Sequence, residues 1–174
     1  MANPTMTLIA SNTVGSGGVA SVTFSSIPST YTDLCLKVSS RTDRTAYPQD
    51  NLRMQINGDS GSNYSFRNIY GNGSSAASTN GSSITYVELY QTDDNGATTN
   101  TFGSHDIYIP NYLASNYKSI SSDGVAEQNG TQAWTELTAA LWNSTSAITS
   151  LTFFGGFGNF VQYSTFYLYG INNS

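Results

Sequence analysis

Charge is what this chain of 174 residues most conspicuously lacks: Asp, Glu, Lys and Arg make up 10% of it, against about 25% in an average globular domain. Six Lys and Arg oppose eleven Asp and Glu, a net charge of −5. Phosphate backbones and anionic lipid surfaces are both held by clustered cations. Nucleic acid and membrane are therefore excluded as expected partners. Cysteine is almost absent too. The single Cys35 allows neither an intramolecular disulfide nor a cysteine-rich zinc site. There is one histidine, His105, so no second imidazole is available as a catalytic base. Long apolar runs are missing: no window approaches the ~18 apolar residues of a membrane helix. Met1 to Asn12 carries no basic leader, which reads as a chain made without a secretory signal.

What fills the space is Gly, Ser, Thr, Asn and aromatic residues, the last at 13% with twelve tyrosines. That aromatic content argues against disorder, and the length fits one domain. Apolar and polar residues alternate. Ala20, Val22 and Phe24 share one parity, as do Leu34, Leu36 and Val38, and Leu52, Met54 and Ile56. Period-two alternation marks half-buried strands. The same reading covers residues 5–10, 64–70, 84–90, 104–109, 117–126, 132–142, 147–154 and 160–171, rich in Thr, Val, Ile, Tyr and Phe. Within 132–142, Leu137, Ala139 and Leu141 keep strand parity, which favours strand over helix there. Asn-Gly and Gly-Gly pairs punctuate the runs, as tight hairpins require. About ten or eleven short strands predict an all-β antiparallel β-sandwich of jelly-roll type, a single domain over 11–174 preceded by an arm or first strand at 1–10. Residues 71–83, low in complexity, read as a long exposed loop.

Candidate chemistry is sparse. Ser104, His105 and Asp106 are adjacent, but strand neighbours point to opposite faces, so the three cannot converge as a triad. Cys35 reads as a buried structural thiol. The eleven acids sit mostly in or beside turns, where local hydrogen bonding accounts for them better than a glycosidase pair does. Asp59 to Asn63 and Asp93 to Gly96 offer oxygen ligands without the spacing of a helix–loop–helix calcium loop. Asn-x-Ser/Thr triplets such as Asn129-Gly130-Thr131 follow from composition. No cofactor, metal or catalytic residue is expected.

Aromatic residues are the stronger signal. Trp134 and Trp142 share strand parity, and Tyr163, Tyr167 and Tyr169 share one face of the last run, opposite Phe160, Phe166 and Leu168. A strand apolar on both faces is covered on both. In a sandwich the outer cover comes from another subunit, which predicts a homo-oligomer.

Three stretches resemble small structural proteins of tailed bacteriophages. One runs Ile27-Pro28, Thr30-Tyr31, Asp33-Leu34, Leu36, Ser39 and Arg41. A second is Ile56-Asn57-Gly58-Asp59 followed by Asn63-Tyr64-Ser65, and the third is the closing Leu168-Tyr169-Gly170-Ile171. The resemblance implies a virion protein with a β-sandwich or jelly-roll fold and names no active site. On that footing the expected function is a non-enzymatic capsid decoration or cement protein, a homotrimer that contacts the major capsid protein or other virion proteins. The alternative is a tail or fibre module binding host-surface glycans through Tyr, Trp and Asn-rich loops, with 71–83 and 93–100 as its recognition edges. For partner binding, the expected residues are Met6 and Leu8 on the arm at 2–10, which can add to a neighbouring sheet edge. Arg41, Arg44 and Arg53 are expected to fork carboxylates, and Tyr163, Tyr167 and Tyr169 complete the set.

Overall fold

The computed structural model describes residues 5–45, 47–130 and 132–173. Twelve antiparallel strands form two sheets. The larger has eight, in the order β1 (Met6–Thr13), β12 (Thr165–Ile171), β3 (Asp33–Ser40), β8 (Gly103–Ile109), β9 (Lys118–Ala126), β10 (Trp134–Trp142), β5 (Tyr64–Gly71) and β6 (Ala76–Ile84). The smaller has four, in the order β2 (Ser21–Phe24), β11 (Leu151–Gly155), β4 (Gln49–Ile56) and β7 (Val87–Asp93). The all-β sandwich read from the alternation is thus the architecture observed. Consecutive strands mostly cross from one sheet to the other, so the core forms between layers and few neighbours are simple hairpins.

Between the sheets, the alternating apolar residues meet as expected. Leu34, Leu36 and Val38 of β3, Phe166 and Leu168 of β12, and Ile107 and Ile109 of β8 face Val22, Phe24, Leu52, Met54, Ile56, Leu151 and Phe153 of the small sheet, all buried. Phe166 sits between Phe153 and Phe160, with ring centroids 5.5 and 4.9 Å away. Edge-on and tilted contacts of this kind add to what burial alone contributes.

Two expectations give way. Residues 71–83 are not a loop: Asn72 Oδ1 accepts the N–H groups of Ser74 and Ser75 at 3.2 and 2.8 Å, the chain reverses, and Ala76 to Ile84 return as β6 along β5. Asn72-Gly73 was the hairpin signal inside the stretch. The last run also breaks before its strand. Tyr163 lies in a turn at φ 74°, a left-handed conformation uncommon outside glycine and asparagine, and β12 begins only at Thr165. Tyr163 therefore does not share a strand face with Tyr167 and Tyr169.

Parity on β10 runs against hydropathy. Trp134, Glu136, Thr138, Ala140 and Trp142 point into the sandwich, while Leu137 and Ala139 point to solvent. Its neighbours follow: Asn68 of β5, Ser122 of β9 and His105 of β8 are buried, and Ile69 and Val125 are exposed. The expected apolar face of this region is its outside.

Candidate functional site

One face of the large sheet packs on the small sheet; among the described residues, the other carries no second layer. Strand register lays this outer face out in rows. One row reads Ser11, Tyr167, Lys37, Asp106, Asp123, Leu137, Ile69 and Ser78, running from β1 to β6. The next reads Leu8, Tyr169, Cys35, Tyr108, Ser121, Ala139, Arg67 and Asn80. Six of the eleven large hydrophobic side chains exposed among the described residues lie on this face: Met6, Leu8, Ile69, Tyr108, Val125 and Leu137. Isolated exposed apolar residues are ordinary, but several gathered on one face mark an interaction surface.

A charged seam divides the face. Lys37 Nζ bonds Asp106 across β3 and β8, and that bond holds the lysine's proton more firmly than usual. Asp123 lies beside the pair on β9. On the β1 side, Met6 pairs with Ile171 and Leu8 with Tyr169, and Tyr167 and Tyr169 stack at 6.5 Å. Tyr169 and Tyr108 flank Cys35 on the adjoining strands, leaving that residue 9% exposed. Burial first, and the nearby Asp106 second, push its thiol up to about 11. The thiol is buried as expected, though beneath tyrosines on the outer face and not in the core between sheets. On the β6 side lies a groove of about 710 Å³ whose lining includes Ile69, Ala76, Thr135 and Leu137.

The residues singled out from sequence separate accordingly. Met6, Leu8, Tyr167 and Tyr169 come together on the first patch. The arm at 2–10 enters the description at Thr5. From Met6 it is β1, paired to β12 of its own sheet, so these side chains act as part of the face and not as a free strand. Tyr163 is 68% exposed but stands on the turn before β12, away from both.

Arg41 is not a surface fork. It is buried and donates to the carbonyls of Ala97, Thr98 and Thr101 at 3.2, 2.9 and 2.9 Å. This guanidinium closes the loop at 93–100 from within. Asp93 and Asp94, at the start of that loop, are fully buried, so the expected recognition edge begins inside the protein.

Arg44 and Arg53 meet at a second surface feature. The Arg44 guanidinium lies 4.2 Å from the Phe157 ring centroid and 4.5 Å from that of Tyr47. Arg53 lies over Tyr86 at 4.3 Å and bonds Glu88 at 3.2 Å. Phe157 itself is 68% exposed on a glycine-rich tip that the fully buried Asp50 carboxylate holds. Asp50 Oδ2 accepts from the N–H groups of Phe157 and Gly158 at 3.3 and 2.9 Å and from the Thr42 hydroxyl at 2.9 Å. A Cβ at Gly158 would lie 2.7 Å from the Arg44 backbone nitrogen, so the tip requires glycine there. Sequence reasoning found the two arginines but not Phe157, whose signal was an aromatic residue flanked by Gly155, Gly156 and Gly158.

The remaining candidates do not assemble a reaction centre. His105 faces inward while Ser104 and Asp106 face out. Its imidazole meets Glu136 instead, Nε2 to Oε1 at 3.9 Å, over Gly124, where a Cβ would come within 2.8 Å of the ring. Burial pushes the histidine down to about 4 and the Glu136 carboxyl up to about 8, so both are neutral near pH 7. Asp59 is occupied by Gly61, Asn63 and Trp142, whose Nε1 donates at 2.7 Å; the Trp142 bond holds its carboxyl below the usual range. Among the described residues no three His, Cys, Asp or Glu side chains are grouped to hold a metal ion.

Comparison of the chain with protein-family models, curated proteins and solved structures finds no match.

Proposed function

We propose that this chain is a structural protein of a tailed-phage particle, a decoration or cement subunit that works by contact and not by chemistry. The observation that carries the reading is the first patch of the open face. Met6, Leu8, Tyr169 and Ile171 form an apolar surface on a rigid sheet, with Tyr167 and Tyr108 at its border. Tyrosines with stiff, amphipathic rings are frequent anchors in protein interfaces. The three stretches that resemble phage structural proteins support the particle setting. Two of them bear on this surface: Asp33 to Ser39 lies within β3, and Leu168 to Ile171 is the end of β12.

The strand order supports a jelly-roll reading of the sandwich. With β1, β12 and the hairpin β9–β10 set aside, β2-β11-β4-β7 faces β3-β8-β5-β6. The chain then visits the two sheets in the sequence a jelly roll follows. On this view β1 and β12 are additions that extend one sheet and carry the docking residues. The partner is the major capsid protein of the shell.

Quantitative mass spectrometry of purified particles tests the proposal. Hundreds of copies per particle are expected, together with loss of shell binding by Leu8→Lys at unchanged thermal stability. A few copies, or none, would overturn the shell assignment and turn attention to the tail and to glycan binding.

A further inference from the structure

The second patch carries an inference independent of the phage reading. It lies on β9, β10, β5 and β6, on the far side of the charged seam, and its centre is the cross-strand pair Leu137 and Ile69, 52% and 59% exposed. Two opposite charges flank that pair. Asp123 stands directly across from Leu137 on β9. Arg67 stands two residues along β5 from Ile69, in the neighbouring row beside Ala139. Neither takes part in an ion pair among the described residues, and the guanidinium of Arg67 donates only to the carbonyl of Phe66.

We infer that this patch binds a second copy of the same chain about a twofold axis. A surface that contacts its own copy isologously must be complementary to itself. One positive and one negative corner around an apolar centre satisfy that condition, because a twofold running diagonally between the two rows sets Arg67 of each copy against Asp123 of the other. The same rotation brings Leu137 of one copy towards Ile69 of the other, over the groove. A foreign acidic or basic surface would meet one matching and one opposing charge here. The chain as a whole carries −5, so copies repel across most of their surface. At this patch the local charge cancels and that repulsion is weakest.

Four strands at about 4.8 Å spacing and three to four rows give a footprint of about 450 Å² per copy. A standard stable interface buries about 800 Å² per partner. The contact is accordingly weak and reversible in solution, with a dissociation constant of about 10–100 μM. It becomes effective where many copies are held side by side.

Sedimentation of the purified full chain over a range up to about 500 μM tests this, since it spans the expected constant. A monomer–dimer equilibrium is expected, weakened at least ~10-fold by either Arg67→Asp or Asp123→Arg, each of which places like charges together. The decisive arm mixes the two variants in equal amounts. Only a twofold Arg67–Asp123 contact lets R67D and D123R, each mostly monomeric at a concentration near the parent's dissociation constant, form a heterodimer with both charge pairs restored. Thermal melting of each variant should match the parent, since both positions are at the surface. A chain that stays monomeric throughout, a dimer indifferent to both variants, a trimer, or a mixture that fails to associate would each overturn the inference.

Discussion

The two halves of the sandwich interior are built differently. Under β12, β3 and β8 the space between sheets is filled by Phe166, Leu168, Leu34, Leu36, Val38 and Ile107, with Phe153 and Phe160 closing on them. Under β9, β10 and β5 the apolar Ile120, Ala140, Trp142, Tyr64 and Phe66 share the interior with Ser122, Glu136, Thr138 and Asn68, joined by His105 from β8. The outer faces are reversed in part. Over the polar half, Leu137, Ile69 and Val125 look to solvent. Turning a carboxyl inward and a leucine outward is a cost to β10, since burial of each polar group has to be offset by a hydrogen bond. The inversion makes sense when the outward leucine has a partner that the isolated chain does not supply.

The largest effect that would test this contrast comes from the apolar half. Phe166→Ala should cost about 3–5 kcal/mol in urea unfolding, because the ring fills space between two others and the cavity cannot collapse. A loss below that of an ordinary surface change would mean the apolar half is not the main support of the fold.

The polar half should report itself through pH. Glu136 keeps its proton to about pH 8 in the fold but releases it near 4.5 when unfolded, so stability falls as pH rises through that window. His105 stays neutral in the fold down to about 4 but takes its proton at 6.5 when unfolded, so stability falls as pH drops through that window. The two slopes oppose one another between 4.5 and 6.5. From 6.5 to 8 the histidine no longer opposes it, and the glutamate's share of the loss should be about 2 kcal/mol. Glu88, also pushed up by burial, acts in the same direction below its own folded value. Denaturation curves across that range should flatten in Glu136→Gln; an unchanged alkaline slope would assign the loss elsewhere.

A smaller effect comes from the hydrogen bond between two buried polar side chains. Asn68 Nδ2 donates to Thr138 Oγ1 at 2.7 Å, both buried. Thr138→Val should cost about 1–2 kcal/mol by stranding the amide, and adding Asn68→Leu should recover most of it. Additive losses in that double variant would show that the pair packs rather than bonds. Smallest of all, Leu137→Thr should change the unfolding free energy of the monomer by less than about 0.5 kcal/mol, since threonine keeps the strand propensity and adds no charge opposite Asp123. A larger loss would place Leu137 in the fold's own support and not in an external contact.

Much of the fold was legible because strand alternation is a local property. Leu34, Leu36 and Val38, or Leu52, Met54 and Ile56, announce a buried face whatever packs on it. The candidate site was legible only in part. Tyr167, Tyr169, Met6 and Leu8 were found from a two-sided apolar strand and an uncharged N-terminal segment. Arg41 was misplaced, because a lone arginine looks the same in sequence whether it meets solvent or three loop carbonyls. β6 was missed for a related reason: its small residues suit a position beside a large neighbour, and Gly81 lies under the Phe66 ring, where a Cβ would come within 2.5 Å. That requirement belongs to β5 and not to β6.

The chain's composition and period-two pattern determined an all-β sandwich, because a strand's two faces are fixed by the alternation of its own Cβ atoms. Which face of β10 is inside was decided by the tertiary structure. Its register with β9 and β5 commits every side chain at once, and a pairing that buries Ala140 and Trp142 must also bury Glu136 and expose Leu137. No local signal within β10 could choose between those two outcomes, since the choice depends on strands that pair with it from elsewhere in the chain.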